Sequence, residues 1–136
     1  MVLVDTGVVF GATDADDPRH ADCAAVWEAY AGELGIVVPV IVESAWLIES
    51  RLGPAAEAEF LASLAEGEVT RVELADEDWV RVAGLVGDYA DLGLGVVDAS
   101  IVAVAERLRI TTVATLDRRH FSVVRPAHLD AFELVP

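Results

Sequence analysis

The sequence contains no lysine; all nine of its cations are arginine. That absence excludes a P-loop lysine, Schiff-base chemistry and the lysine expected of a receiver-type phosphoacceptor domain. Cysteine occurs once, at Cys23, so no internal disulfide can form. Its place among alanines in a helical pattern reads as a small packed residue and not as a nucleophile. Histidine occurs three times, and no two have the spacing of zinc ligands. No apolar run approaches the roughly 18–20 residues that span a bilayer. The amino end has no basic segment and meets Asp5 almost at once, which predicts no signal peptide and, with the lone cysteine, a cytoplasmic protein. The glycines at 93 and 95 are not followed by Lys-Ser/Thr, and no Ser/His/Asp or Cys/His set stands in a recognisable motif.

What remains is acidic and apolar. The formal net charge is −15, and hydrophobic residues make up 54% of 136 residues. Such a chain can fold as one domain, 1–136, around a sizeable core. Its acidity argues against a broad nucleic-acid footprint, where affinity comes mainly from basic residues on phosphates. It suits metal cations or a basic protein partner.

Strand and helix patterns alternate along the chain. Val2–Val4 reads as a short buried strand, and Val8–Phe10 as a helical turn. An acid-rich loop follows, in which Asp14, Asp16 and Asp17 read as exposed or capping. Asp17-Pro18 opens a helix to about Ala31. Residues 35–38 form a second strand, and Pro39 opens a helix to Leu52 with Glu43 in its first turn. Pro54 opens another, with Phe60, Leu61 and Leu64 inward. Val69–Leu74 is a third strand candidate, and Asp76 caps the next helix, where Trp79 and Tyr89 read as core. Asp98 stands at the head of a strongly apolar helix. Ile110–Thr115 and Phe132–Val135 complete the strands. Such alternation predicts an α/β domain with a largely parallel central sheet flanked by helices.

Asp5 and Asp117 follow strands, and Glu43 and Asp98 lie near helix starts. In open α/β sheets, ligands sit outside the carboxyl ends of the strands, so these four acids can converge. Taken singly, Glu43 has an equal reading as an acid complementing the helix dipole, and Asp98 as a cap. Together and unpaired they would repel, and desolvation would raise their pKa values. A hard divalent cation, Mg²⁺ or Mn²⁺, relieves both. The chemistry such a site serves best is phosphodiester hydrolysis, in which the cation makes water nucleophilic and stabilises the leaving oxygen. His120 reads equally as a surface residue or a catalytic base.

Val-Asp-Thr-Gly at 4–7, the Glu43 helix after Val38-Pro39, Tyr-Ala-Asp-Leu-Gly-Leu-Gly-Val-Val-Asp-Ala-Ser at 89–100 and Thr-Leu-Asp-Arg-Arg-His-Phe at 115–121 resemble a PIN domain. More narrowly, the chain resembles the VapC toxins of bacterial VapBC toxin–antitoxin pairs along essentially its whole length. The resemblance implies a Mg²⁺- or Mn²⁺-dependent endoribonuclease. Asp5, Glu43, Asp98 and Asp117 would be its metal-binding acids, Asp5 and Asp98 as direct ligands and Glu43 and Asp117 partly through bound waters. Thr6 and Thr115 would support them by hydrogen bonds, and Arg118 and Arg119 would contact RNA phosphates. It further implies a homodimer and a cognate VapB-type antitoxin whose basic tail suits the acidic site. The alternative is a catalytically silent PIN-like module that only binds a protein partner.

Overall fold

The computed structural model describes residues Met1–Pro136. Five strands form one sheet: β1 (Val2–Val4), β2 (Leu34–Val37), β3 (Thr70–Val72), β4 (Thr112–Ala114) and β5 (Glu133–Val135). Their order is β3-β2-β1-β4-β5, and every pairing is parallel. The chain moves outward from β1 to β3 and then returns to pair β4 with the other side of β1. The direction of winding therefore reverses between β1 and β4, which is where an open parallel sheet forms a crevice at its carboxyl edge. Leu3 lies opposite both Gly35 and Val113 across its two neighbours. All three residues of β1 are buried, as expected of a central strand covered on both faces.

Seven helices cover the sheet: α1 (Thr6–Thr13), α2 (His20–Ala29), α3 (Val38–Leu52), α4 (Pro54–Glu66), α5 (Asp76–Asp88), α6 (Val96–Leu108) and α7 (Arg118–Val123). A turn of 3₁₀ helix, Ala90–Leu92, precedes α6. Residues Ala99 to Ala105 of α6 are all buried. A helix apolar all round is stable only when enclosed, and this one is.

Several local expectations change. The turn after β1 is a full helix, α1, because the Asp5 carboxylate accepts from the Thr6 amide and caps it. The helix carrying Glu43 starts at Val38 directly from β2, with Pro39 in its first turn. Glu43 therefore lies in the second turn, beyond the reach of the helix dipole. Asp76 is the first residue of α5 and not its cap; Asp78 reaches back to accept from the Ala75 amide. Leu61 is exposed, and so are Trp46 and Trp79, at 66% and 51%. Tyr89 is half-buried against the core. Asp17-Pro18 does not open α2, which starts at His20 with Arg19 in the cap place; Asp14 and Asp17 instead accept from the amides of Asp16 and Arg19 within the loop before it. Cys23 is a buried free thiol.

Ion pairs tie α5 to α6. Arg107 Nε donates to Asp78 at 2.8 Å, and its Nη2 donates to the Glu73 carbonyl at 2.9 Å. Arg81 grips Glu106 with two parallel hydrogen bonds, and the Ala127 amide donates to the same carboxylate. Burial pushes the Glu106 carboxyl upward, but the hydrogen bonds from Arg81 and Ala127 outweigh it and hold the group below its usual value.

Gly11 marks where α1 and α2 touch. A β-carbon there would stand 2.6 Å from Cys23 Sγ, which is fully buried. Gly11→Ala is expected to destabilise the fold by about 1–3 kcal/mol in urea denaturation, less the roughly 1 kcal/mol that alanine adds to a helix. Adding Cys23→Ala removes the obstructing sulfur. The double variant should be more stable than the sum of the single ones by more than about 0.5 kcal/mol. Simple additivity would mean that the two positions do not press on each other.

Candidate active site

Hydrogen bonding continues past the ends of the central strands. The Asp5 amide donates to the Ala114 carbonyl at 2.9 Å, and the Thr115 amide donates to the Val135 carbonyl at 2.8 Å. Asp5 and Thr115 are thus locked side by side just beyond β1 and β4. The Asp5 carboxylate is 8% exposed and has two partners. Its Oδ1 accepts from the Thr6 amide at 2.7 Å, and its Oδ2 accepts from Thr115 Oγ1 at 2.8 Å. Thr6 Oγ1 donates in turn to Glu43 Oε2 at 2.6 Å. Thr6 and Thr115 thus each donate a side-chain hydrogen bond to one of these acids.

Asp98, in the first turn of α6, does not cap its helix; Gly95 occupies that place. Its Oδ2 is hydrogen-bonded to His120 Nδ1. His120 is neither a free surface residue nor a free base. Asp117 caps α7 by accepting from the Arg119 amide at 3.1 Å, and its own amide donates to Thr115 Oγ1 at 3.1 Å.

The acids feel one another. Burial, reinforced by the charges of Asp98 and Glu43, raises Asp5 to about 6 against the opposing hydrogen bonds from Thr115 and Thr6. Burial likewise raises Asp98; His120 opposes this, and Asp117 and Glu43 add to it. All four acids thus enter one electrostatic cluster at the crevice, with the two most buried members carrying the shifts. No three His, Cys, Asp or Glu side chains are drawn tightly enough together to ligate one ion directly. Like charges held by hydroxyls and amides have no reason to crowd further. The donor set nevertheless fits a Mg²⁺-like ion, which binds through one or two carboxylates and keeps several waters.

The two arginines expected at phosphates are both exposed, and each reaches a backbone carbonyl. Arg118 donates to the carbonyls of Leu134 and Pro136, and Arg119 Nη2 lies 3.4 Å from the Leu92 carbonyl. Both brace α7. An apolar groove of about 680 Å³ adjoins the acids, with Glu43 on its wall beside Val42, Trp46, Trp79, Val96 and Val97. Hydrophobic patterning does not disclose it: Trp46 lies in an apolar helical stretch, and Trp79, directly after Asp76-Glu77-Asp78, reads as core.

No helix is long and apolar enough to cross a membrane. The family profile of the PIN domain matches residues 2–125. Ribonuclease VapC26 of Mycobacterium tuberculosis (strain ATCC 25618 / H37Rv) is 33% identical over 135 residues, covering 99% of this chain and 100% of that protein. The crystal structure of Mycobacterium tuberculosis VapC20, described as a sarcin-ricin loop cleaving toxin, superposes with a TM-score of 0.81 at 19% identity, over 87% of this chain and 91% of that one. A toxin–antitoxin complex from Klebsiella pneumoniae contains a chain that superposes at 0.70 with 17% identity, over 100% of this chain and 97% of that one. The parallel sheet, its acidic crevice and an end-to-end relative agree, and the chain belongs to the PIN-domain family.

Proposed function

We propose that this chain is a divalent-metal-dependent endoribonuclease and the toxin of a toxin–antitoxin pair. The observation that carries the reading is the buried Asp5 carboxylate, fixed by Thr6 and Thr115 at the crevice and coupled in charge to Asp98 and Glu43. Keeping such a group ionised at neutral pH is unfavourable unless a cation joins it. Asp5 and Asp98 would hold Mg²⁺ or Mn²⁺ directly, and Glu43 and Asp117 through water. When bound, the cation supplies Lewis-acid chemistry, making water nucleophilic at neutral pH and offsetting charge on the phosphate. The chain's own task is positional. Thr115 and the Thr6 amide hold both oxygens of Asp5, and Thr6 Oγ1 orients Glu43. Asp117 serves as cap and acid together, so the start of α7 is bound to the geometry of the site.

The partners follow from charge and from the family. A net charge of −15 favours a basic antitoxin segment over the acidic crevice. The homodimer that the family implies would have an apolar face available on α3 and α5, where Val42, Trp46, Trp79 and Val80 are exposed. A silent binding module is the weaker reading, because a protein that only binds has no need of four coupled carboxylates.

The test is cleavage of total RNA, freed of contaminating nuclease, with Mg²⁺, with Mn²⁺ and with EDTA, running Asp98→Asn beside wild type. Discrete fragments are expected with either cation. They should disappear in EDTA and fall by about 1000-fold in the variant, the equivalent of several kcal/mol of transition-state stabilisation. Equal cleavage in EDTA would exclude the metal mechanism.

A further inference from the structure

The hydrogen bond between His120 and Asp98 joins two helices whose residues are 22 positions apart in sequence. Helix α7 has only six residues, too few for its own hydrogen bonds to hold it in place. Its surroundings fix it instead. Phe121 is 1% exposed and meets Phe132 edge-on, with ring centroids 6.3 Å apart. Val124 closes the far end in full burial. The Arg125 amide donates to Tyr89 Oη at 3.0 Å, tying the end of α7 to the segment that leads into α6. With Phe121 and Val124 committed to the core, His120 is presented to the crevice, and its side chain is only 16% exposed. Asp98 is then held through Oδ2, while its Oδ1 makes no hydrogen bond within the chain.

Resting on the cation-site reading of the acids, we propose that His120 is a positioning residue: its Nδ1–H holds Asp98 Oδ2 and so presents Oδ1 to the divalent cation. An unsupported carboxylate at a helix start can turn about its side-chain torsions, and each alternative rotamer dilutes the one that binds. Groups that hydrogen-bond a ligating carboxylate from behind are commonly worth 10–100-fold in metal affinity, roughly the effect assigned here to His120. The burial that raises Asp98 makes the imidazole useful even before a cation arrives, since His120 is the one partner that offsets it by hydrogen bonding.

The test is calorimetric titration of the intact protein with Mn²⁺ alone, comparing wild type, His120→Leu and His120→Asn, with a thermal melt of each. Leucine keeps bulk and removes the donor; asparagine loses bulk and keeps an N–H near the place of Nδ1. Mn²⁺ affinity is expected to fall about 10–100-fold in His120→Leu and to stay within roughly threefold of wild type in His120→Asn. Affinity that follows bulk and not the donor would overturn the assignment, as would unchanged affinity in His120→Leu. Should His120→Leu fail to fold, weak binding by His120→Asn alone would overturn it. Wild type that binds no Mn²⁺ would remove the cation-site reading itself, and the role of His120 with it. Loss of Mn²⁺ affinity in His120→Leu alone leaves that reading intact.

Discussion

Asp5→Asn is expected to abolish RNA cleavage while making the metal-free protein more stable. The first effect follows from the loss of a charge proposed to hold the cation directly, and should exceed about 1000-fold. The second follows from burial. The Asp5 carboxyl is raised from 3.8 to about 6 in the fold. In the unfolded chain it ionises freely, so the folded state binds more protons between those values and stability falls as pH rises through them. Protonated Asp5 favours the fold fully below pH 4; by pH 7.5 that contribution is gone. The difference is worth up to about 3 kcal/mol. Asparagine is never charged and can still accept from the Thr6 amide through Oδ1, while its Nδ2 donates to Thr115 Oγ1. In EDTA at pH 7.5 the variant should melt roughly 5–10 °C above wild type, and the gap should close near pH 4. Saturating Mn²⁺ should narrow it from the other side, because only wild type gains stability from binding. A variant less stable than wild type at pH 7.5 would mean that the two hydrogen bonds depend on a full carboxylate and outweigh its desolvation.

The largest loss of stability is expected from Asp78→Ala. Asp78 is 2% exposed and satisfies both the Ala75 amide and Arg107. Truncating it leaves a half-buried guanidinium without its counter-charge and uncaps α5. Removing one partner of a buried pair costs about 3–5 kcal/mol; with Arg107 partly in solvent, about 2–4 kcal/mol is expected. The melting temperature should drop by roughly 10 °C. Asp78→Asn, which can still accept from Ala75, should lose less than half as much. Equal losses would locate the effect in the charge and not in the cap.

These two residues mark what a sequence discloses and what it hides. Asp5 is legible because β1 is a short, fully apolar run ended by an acid; Asp117 is legible less directly, as the first acid past β4, after Thr115 and Leu116. Their convergence follows from parallel topology alone. Asp78 was not legible. Hydrophobic spacing gives the inward stripe of α5 as Val82 and Leu85, and the next place on it belongs to Asp78, not Trp79. An acid can hold an inward position when an arginine meets it, but Arg107 lies 29 residues away, and periodicity carries no record of such pairs. Trp79 is turned out as a result. The same reason hid the contact of His120 with Asp98 and the engagement of Arg118 by carbonyls near the end of the chain. Glu43 stands one turn further into its helix than Pro39 suggests, because β2 passes into α3 at Val38 without a break.

The bond from Thr115 to Asp5 spans 110 residues. During synthesis β1 cannot acquire its β4 neighbour until residues 112–114 have left the ribosome. A nascent chain stopped before residue 112 holds Asp5, Glu43 and Asp98 but lacks β4, Thr115, Asp117 and His120. Until β4 arrives, β1 therefore keeps one open edge, and the sheet waits on a pairing of high sequence separation.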